Sequence, residues 1–202
     1  ESAISPEDAR ALDAIRRLPA PRLGYLGAIN LRLDADLCRA LAREAAGRGW
    51  SLVFLGPVDP LYGRVAGELR ALPNTHLPGI LSPAAAPRAL RLFEALLLPH
   101  ARTPFTRAMF PEKLPEYLAT GRPIVSTSLG EVVRVVSEAG AGAGGGGLVE
   151  FGDTPGEFLA ACDRAPAGGK DPGRAAARVA LARCHTRALR LAQPALPLFV
   201  VL

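Results

Sequence analysis

Short apolar runs alternate along this chain with longer stretches whose apolar residues recur at helical spacing. RLGYLG (22–27), SLVFLG (51–56), ALLLPH (95–100) and LVEFG (148–152) read as buried strands, with shorter ones at 75–77 and 124–125. Ser5-Pro6-Glu7-Asp8 opens a helix to about Leu18, and Asp34 caps another to about Gly47 with Leu37, Leu41 and Ala45 on one face. Helices are also predicted over 64–72, 81–92, 131–139 and 154–164. A short one runs from about Glu112 to Gly121, and a long Arg/Ala/Leu helix covers 173–193. Residues 101–104 read as a loop, and AGAGGGG (141–147) as a flexible one. No internal repeat is visible.

About six strands alternating with crossover helices predict an α/β fold, a Rossmann-like doubly wound parallel sheet with helices on both faces. Right-handed crossovers and a Rossmann-type strand order are the default. Residues 1–19 are expected to form an N-terminal linker helix, 20–170 the Rossmann-like domain, and 171–202 a C-terminal helix and tail. Ligands of such sheets bind beyond the carboxyl ends of the strands. Gly27, Gly56, His100 and the hydroxyl run Ser126–Ser128 fall at that edge.

Composition narrows the function. An apolar share of 49% supplies a core, and 21% charged residues argue against wholesale disorder. The net charge of +5 fits an anionic ligand, an acidic membrane surface or scattered surface arginines. Lys113 and Lys170 are the only lysines. No basic run exceeds Arg16-Arg17 and only 5% of residues are aromatic, so nucleic-acid binding is not expected. Cys38, Cys162 and Cys184 are far apart and odd in number, and the three histidines are not at ligand spacing. Neither a disulfide frame nor a metal site is indicated, and reduced thiols in the cytoplasm are the expectation. No signal peptide is seen, and the apolar terminal stretch 195–202 is too short to cross a bilayer. Lacking an initiating Met, the chain is expected to be part of a longer protein.

The segment PEKLPEYLATGRPIVSTSLGE (111–131) carries the chemistry. Its helix stops at Gly121 and hands over to the buried pair Ile124-Val125. Glu112, Lys113 and Glu116 lie at the start of that helix, placed to hold a ligand carrying phosphate and ribose. Lys113 reads as a diphosphate contact, with Arg107 and Thr106 reaching from the preceding loop and Arg32 from the loop after the first strand. Gly27 lets the backbone approach the phosphates.

Taken together, PRLGYLGAINLRLDADLCRALARE, SLVFLGPVDP, LPNTHLPG and LLLPHARTPFTRAMFPEKLPEYLATGRPIVSTSLGEV resemble, in order and spacing, the C-terminal half of GT-B glycosyltransferases, most closely the family-4-like bacterial group. The resemblance covers roughly residues 20–165, with its specific core at 104–131. It implies a domain that binds a nucleoside-diphosphate sugar as substrate, with no cofactor or metal and with retention of anomeric configuration. An N-terminal domain of the same parent protein would hold the acceptor, in the cytoplasm or at the periphery of the inner membrane. It also implies that Glu116, the second glutamate of the family's E-x7-E motif, accepts hydrogen bonds from the ribose hydroxyls. The first glutamate falls at Ala108, so half of that motif is absent. Phe110 stands where a polar helix cap is usual and Pro115 where an aromatic is usual, which predicts either a later helix start or a distorted first turn.

Other motifs fail on context. The GxGxxG at Gly140–Gly145 precedes a strand instead of following one. Asp34-Ala-Asp36 opens a helix, where Asp is a routine cap. Gly168-Gly169-Lys170 lacks P-loop spacing, and Ser126–Ser128 lacks a nucleophile elbow. Of the histidines, only His100 is expected to line the cleft. Three rival readings stay open: a GT-B-like nucleotide-sugar epimerase, a degenerate non-catalytic nucleotide-binding module, and, more distantly, an NAD-dependent oxidoreductase.

Overall fold

The computed structural model describes residues 3–141 and 147–185. Most of the glycine-rich tract, the end of the helix predicted over 173–193 and the terminal tail lie outside them.

Six strands form one sheet: β1 (Arg22–Leu26), β2 (Ser51–Leu55), β3 (Thr75–Gly79), β4 (Ala95–Leu98), β5 (Ile124–Ser126) and β6 (Val149–Phe151). Their order is β3-β2-β1-β4-β5-β6 and every pairing is parallel, the Rossmann-type arrangement expected. The strands read as continuous apolar runs because both faces are covered. On one face lie α1 (Pro6–Arg17), α4 (Ala86–Leu90), α6 (Lys113–Ala119), α7 (Gly130–Val136) and α9 (Pro172–Cys184). On the other lie α2 (Ala35–Ala45), α3 (Gly63–Arg70) and α8 (Pro155–Gly168). A further short helix, α5 (Pro104–Ala108), stands beyond the end of β4.

The caps are those the sequence supplies. Ser5 accepts from the Asp8 amide, Asp34 from Leu37 and Thr154 from Glu157, each starting its helix. The Asp34 carboxylate is therefore a cap, and Asp36 pairs with Arg39. The flanking segments share the central core: Leu12 and Ile15 of α1 and Leu181 of α9 pack into it. Arg178 of α9 is 1% exposed and donates to three carbonyls, of Leu148 (2.8 Å), Gly121 (3.1 Å) and Gly147 (2.8 Å).

Two elements differ from expectation. The helix predicted over 81–92 is confined to Ala86–Leu90. Pro83 and Pro87 explain this, since neither can donate to a preceding turn and Pro87 fits only at the helix start. The loop predicted at 101–104 leads directly into α5, which Thr103 and Thr106 cap reciprocally.

Candidate functional site

The strand order reverses between β1 and β4, and these strands pair only at Leu23–Ala95 and Gly24–Leu96 before separating toward their carboxyl ends. Beyond that point the Leu26 amide has lost its strand partner and donates instead to the Tyr117 phenol of α6 at 2.8 Å. The phenol is fully buried, so this bond pegs α6 against the tip of β1. Lys113 and Glu116, on the same helix, are thereby held over the sheet edge.

A cavity of about 700 Å³ opens there. Gly27 and Gly56 form its floor, Leu81, Pro83, Pro87 and Leu90 one apolar wall, and Lys113 and Glu116 the opposite, charged one. Close backbone approach makes the floor: a Cβ on Gly56 would stand 2.0 Å from the Gly27 carbonyl oxygen, and the φ of Gly56 is +142°. An apolar slot ending in a carboxylate and a cation suits a flat ring followed by a diol and an anion.

The first turn of α6 is intact. The helix begins at Lys113, preceded by Glu112 in helical conformation with no side-chain cap. Pro115 is thus the third residue of the helix, where its missing N–H is one of those without an intrahelical partner anyway. The later helix start is the outcome. Lys113 Nζ lies 3.2 Å from a Glu116 carboxylate oxygen, and both side chains are substantially exposed, 36% and 51%. The two groups expected to hold the ligand therefore pair with each other.

A second cavity, about 380 Å³, adjoins the first and shares Gly27, Ala28 and Lys113 with it. Its lining is more polar: Asn30, Arg32, His100 and Glu112, with Phe105 and Phe110. Arg32 lies over the Phe105 ring at 5.6 Å. His100 lines this cavity as the sequence predicts, and is 6% exposed with Nδ1 lacking a hydrogen-bond partner. Burial drives its pKa down to about 4, so the ring is neutral. The Tyr25 phenol donates to the Ala28 carbonyl at 3.0 Å and steadies the loop between the cavities.

The structure thus brings Gly27, Arg32, Lys113 and Glu116 to one cleft. Thr106 is buried, and its hydroxyl is engaged with the Ala101 carbonyl and the α5 cap, so it does not reach the cleft. Arg107 sits exposed on α5, outside the lining of both cavities, and Ala108 next to it brings no carboxylate. The hydroxyls of Ser126 and Thr127 are turned inward, donating to the carbonyls of Thr127 and His100. Sequence reasoning missed the structural role of Tyr117, whose partner lies 91 residues away. Glu112, expected to share in holding phosphate and ribose, lines only the second cavity.

No family model matches the chain. It is 31% identical over 145 residues to a Bacillus subtilis (strain 168) protein named "Putative teichuronic acid biosynthesis glycosyltransferase TuaH", covering 70% of this chain and 34% of that protein. Among solved structures, Anabaena Alr3699/HepE in complex with UDP and glucose superposes with a TM-score of 0.60 at 17% identity, covering 89% of this chain and 47% of that one. The C-terminal domain of a Francisella tularensis group 1 glycosyl transferase, LpcC, superposes with a TM-score of 0.57 at 12% identity and 89% coverage of both chains. The chain spans about a third of the length of TuaH and about half that of HepE.

Proposed function

We propose that this chain, which has the fold of one half of a GT-B glycosyltransferase and a sequence similar to a glycosyltransferase, is the donor-binding domain of such an enzyme. The observation that carries the reading is the single cleft joining Gly27, Lys113 and Glu116 at the strand-order reversal. The nucleoside occupies the apolar slot, its ribose hydroxyls donate to Glu116, and the diphosphate meets Lys113, with Arg32 across the shared boundary of the cavities. HepE, whose fold this chain shares, is described in complex with UDP, which supports a nucleoside diphosphate as the anion.

Chemically, such a domain lowers the barrier by stabilising negative charge on the departing diphosphate. Lys113 and Arg32 do this with fixed cations placed where charge develops, a contribution worth several kcal/mol per donor, roughly 3, in a partly desolvated cleft. Thr106 and Arg107 play no part in this geometry. Transfer with retention, independence of metal, an acceptor held by an N-terminal domain and a cytoplasmic site of action beside an acidic membrane complete the reading. None of the described helices is long and apolar enough to cross a membrane.

Calorimetric titration of the chain with UDP, GDP and ADP tests this. Saturable binding of one of them, abolished in the double variant Lys113→Ala/Glu116→Ala, is expected; absence of binding by all three contradicts it. Incubation with the matching sugar nucleotide, followed by mass spectrometry and chromatography of the product, separates transfer from epimerisation.

A further inference from the structure

The 700 Å³ cavity accounts for a nucleoside and the shared boundary at Gly27 and Lys113 for a diphosphate, yet the 380 Å³ cavity beyond them is left without an occupant. Its chemistry differs from that of its neighbour. Glu112, exposed on its rim, makes no hydrogen bond or ion pair among the described residues and so presents a free carboxylate. His100 lines its inner wall, fixed at the end of β4 by its backbone: its carbonyl accepts from Thr127 Oγ1 at 2.9 Å, and its ring lies edge-on to Tyr25. A neutral imidazole carries one donor and one acceptor, and one of its nitrogens is buried with no partner. That nitrogen is closed off from the cavity, so it is the part of the ring lining the cavity that would meet a ligand hydroxyl.

Resting on the donor-binding reading above, we propose that the smaller cavity is the glycosyl compartment and that Glu112 and His100 are its specificity-determining residues, selecting a neutral, hydroxyl-bearing sugar. The carboxylate accepts from sugar hydroxyls, and the imidazole exchanges a hydrogen bond with another. Glu112 thereby brings to the cleft a carboxylate that Ala108, on exposed α5, does not. Charge decides against an acidic sugar. With the diphosphate in place, its negative charge balances Arg32 and Lys113, and Glu112 is left facing any carboxylate the sugar carries, without a counter-ion in the lining. The selectivity is carried by two positions 12 residues apart in sequence, Glu112 at the rim and His100 at the wall, which the fold sets on one cavity.

The test compares UDP, UDP-glucose, UDP-galactose, UDP-N-acetylglucosamine and UDP-glucuronate as probes, by calorimetry, on the wild-type chain and on Glu112→Gln and His100→Phe. The expected result is that one neutral sugar nucleotide binds tighter than UDP and than UDP-glucuronate, and that each variant lowers its affinity at least fivefold while leaving UDP within twofold. Glu112→Gln, on the exposed rim, keeps the test informative if His100→Phe fails to fold. The proposal is overturned if UDP and the sugar nucleotides weaken together, if neither variant changes sugar-nucleotide affinity, or if UDP-glucuronate binds best. If UDP itself does not bind, the donor-binding reading fails first, a result distinct from loss of sugar discrimination alone.

Discussion

Lys113 and Glu116 face each other at 3.2 Å, but a surface pair of this exposure is worth no more than about 1 kcal/mol. On the proposed reading, a diphosphate and a ribose diol offer each group a stronger partner, and the pair is expected to exchange on binding. Lys113→Ala is accordingly expected to weaken nucleotide diphosphate binding roughly 10- to 100-fold, the scale of one charge-assisted hydrogen bond, as read by calorimetry. At His100 the sign of a pH effect is fixed. Its folded pKa, near 4, lies below the ordinary value of 6.5, so the unfolded chain binds the proton more tightly. Stability from this group is fully present above pH 6.5 and lost as pH falls toward 4, amounting to about 2 kcal/mol by pH 5. His76, half-buried and also shifted down, adds a smaller change of the same sign. Denaturant melts at pH 7.5 and 5 should show the loss, and His100→Phe should reduce it.

Helix α6 is held in the core by Leu114 and Leu118 and pinned to the tip of β1 by the Tyr117 phenol. Tyr117→Phe leaves the Leu26 amide buried without an acceptor and should cost about 1–3 kcal/mol in urea unfolding, with weaker nucleotide binding because Lys113 and Glu116 lose their register over Gly27. Strand β1 is constrained from the other side, since a Cβ on Gly24 would stand 2.2 Å from the Phe93 ring; Gly24→Val should destabilise by roughly 3 kcal/mol or prevent folding. Helix α9 is tied down by Arg178, whose buried guanidinium donates to three carbonyls, so Arg178→Met should lower stability by roughly 3 kcal/mol. The strands and long helices were legible because their periodicity is local. Helix α5 was not, since it is only five residues long and its reciprocal threonine cap, Thr103 with Thr106, straddles Pro104, and the 81–92 pattern misled because an apolar spacing outvoted two prolines. The role of Tyr117 was not legible because it acts through a partner on β1, and Glu112 was read beside Lys113 and Glu116 although it lines a separate cavity assembled from distant loops.

The whole molecule places its chemistry at one edge. The four large apolar side chains exposed among the described residues, Leu31, Leu61, Ile80 and Phe105, all follow the carboxyl ends of strands, and Ile80 and Phe105 line the two cavities. Of the six residues expected to hold the donor, the fold gathers Gly27, Arg32, Lys113 and Glu116 along the two cavities, while Thr106 is buried in the α5 cap and Arg107 lies outside both linings. With about half of a HepE-sized chain present, the domain is expected to bind donor but to transfer little or no sugar by itself; robust transfer by these 202 residues would overturn that expectation. The most direct measurement is a titration of the isotopically labelled chain with UDP, followed by amide NMR. Shifts concentrated at Gly27, Gly56, Ile80–Leu90 and Lys113–Glu116 are the predicted result. Shifts elsewhere on the surface, or none at millimolar UDP, would contradict a nucleotide seated between the tip of β1 and helix α6.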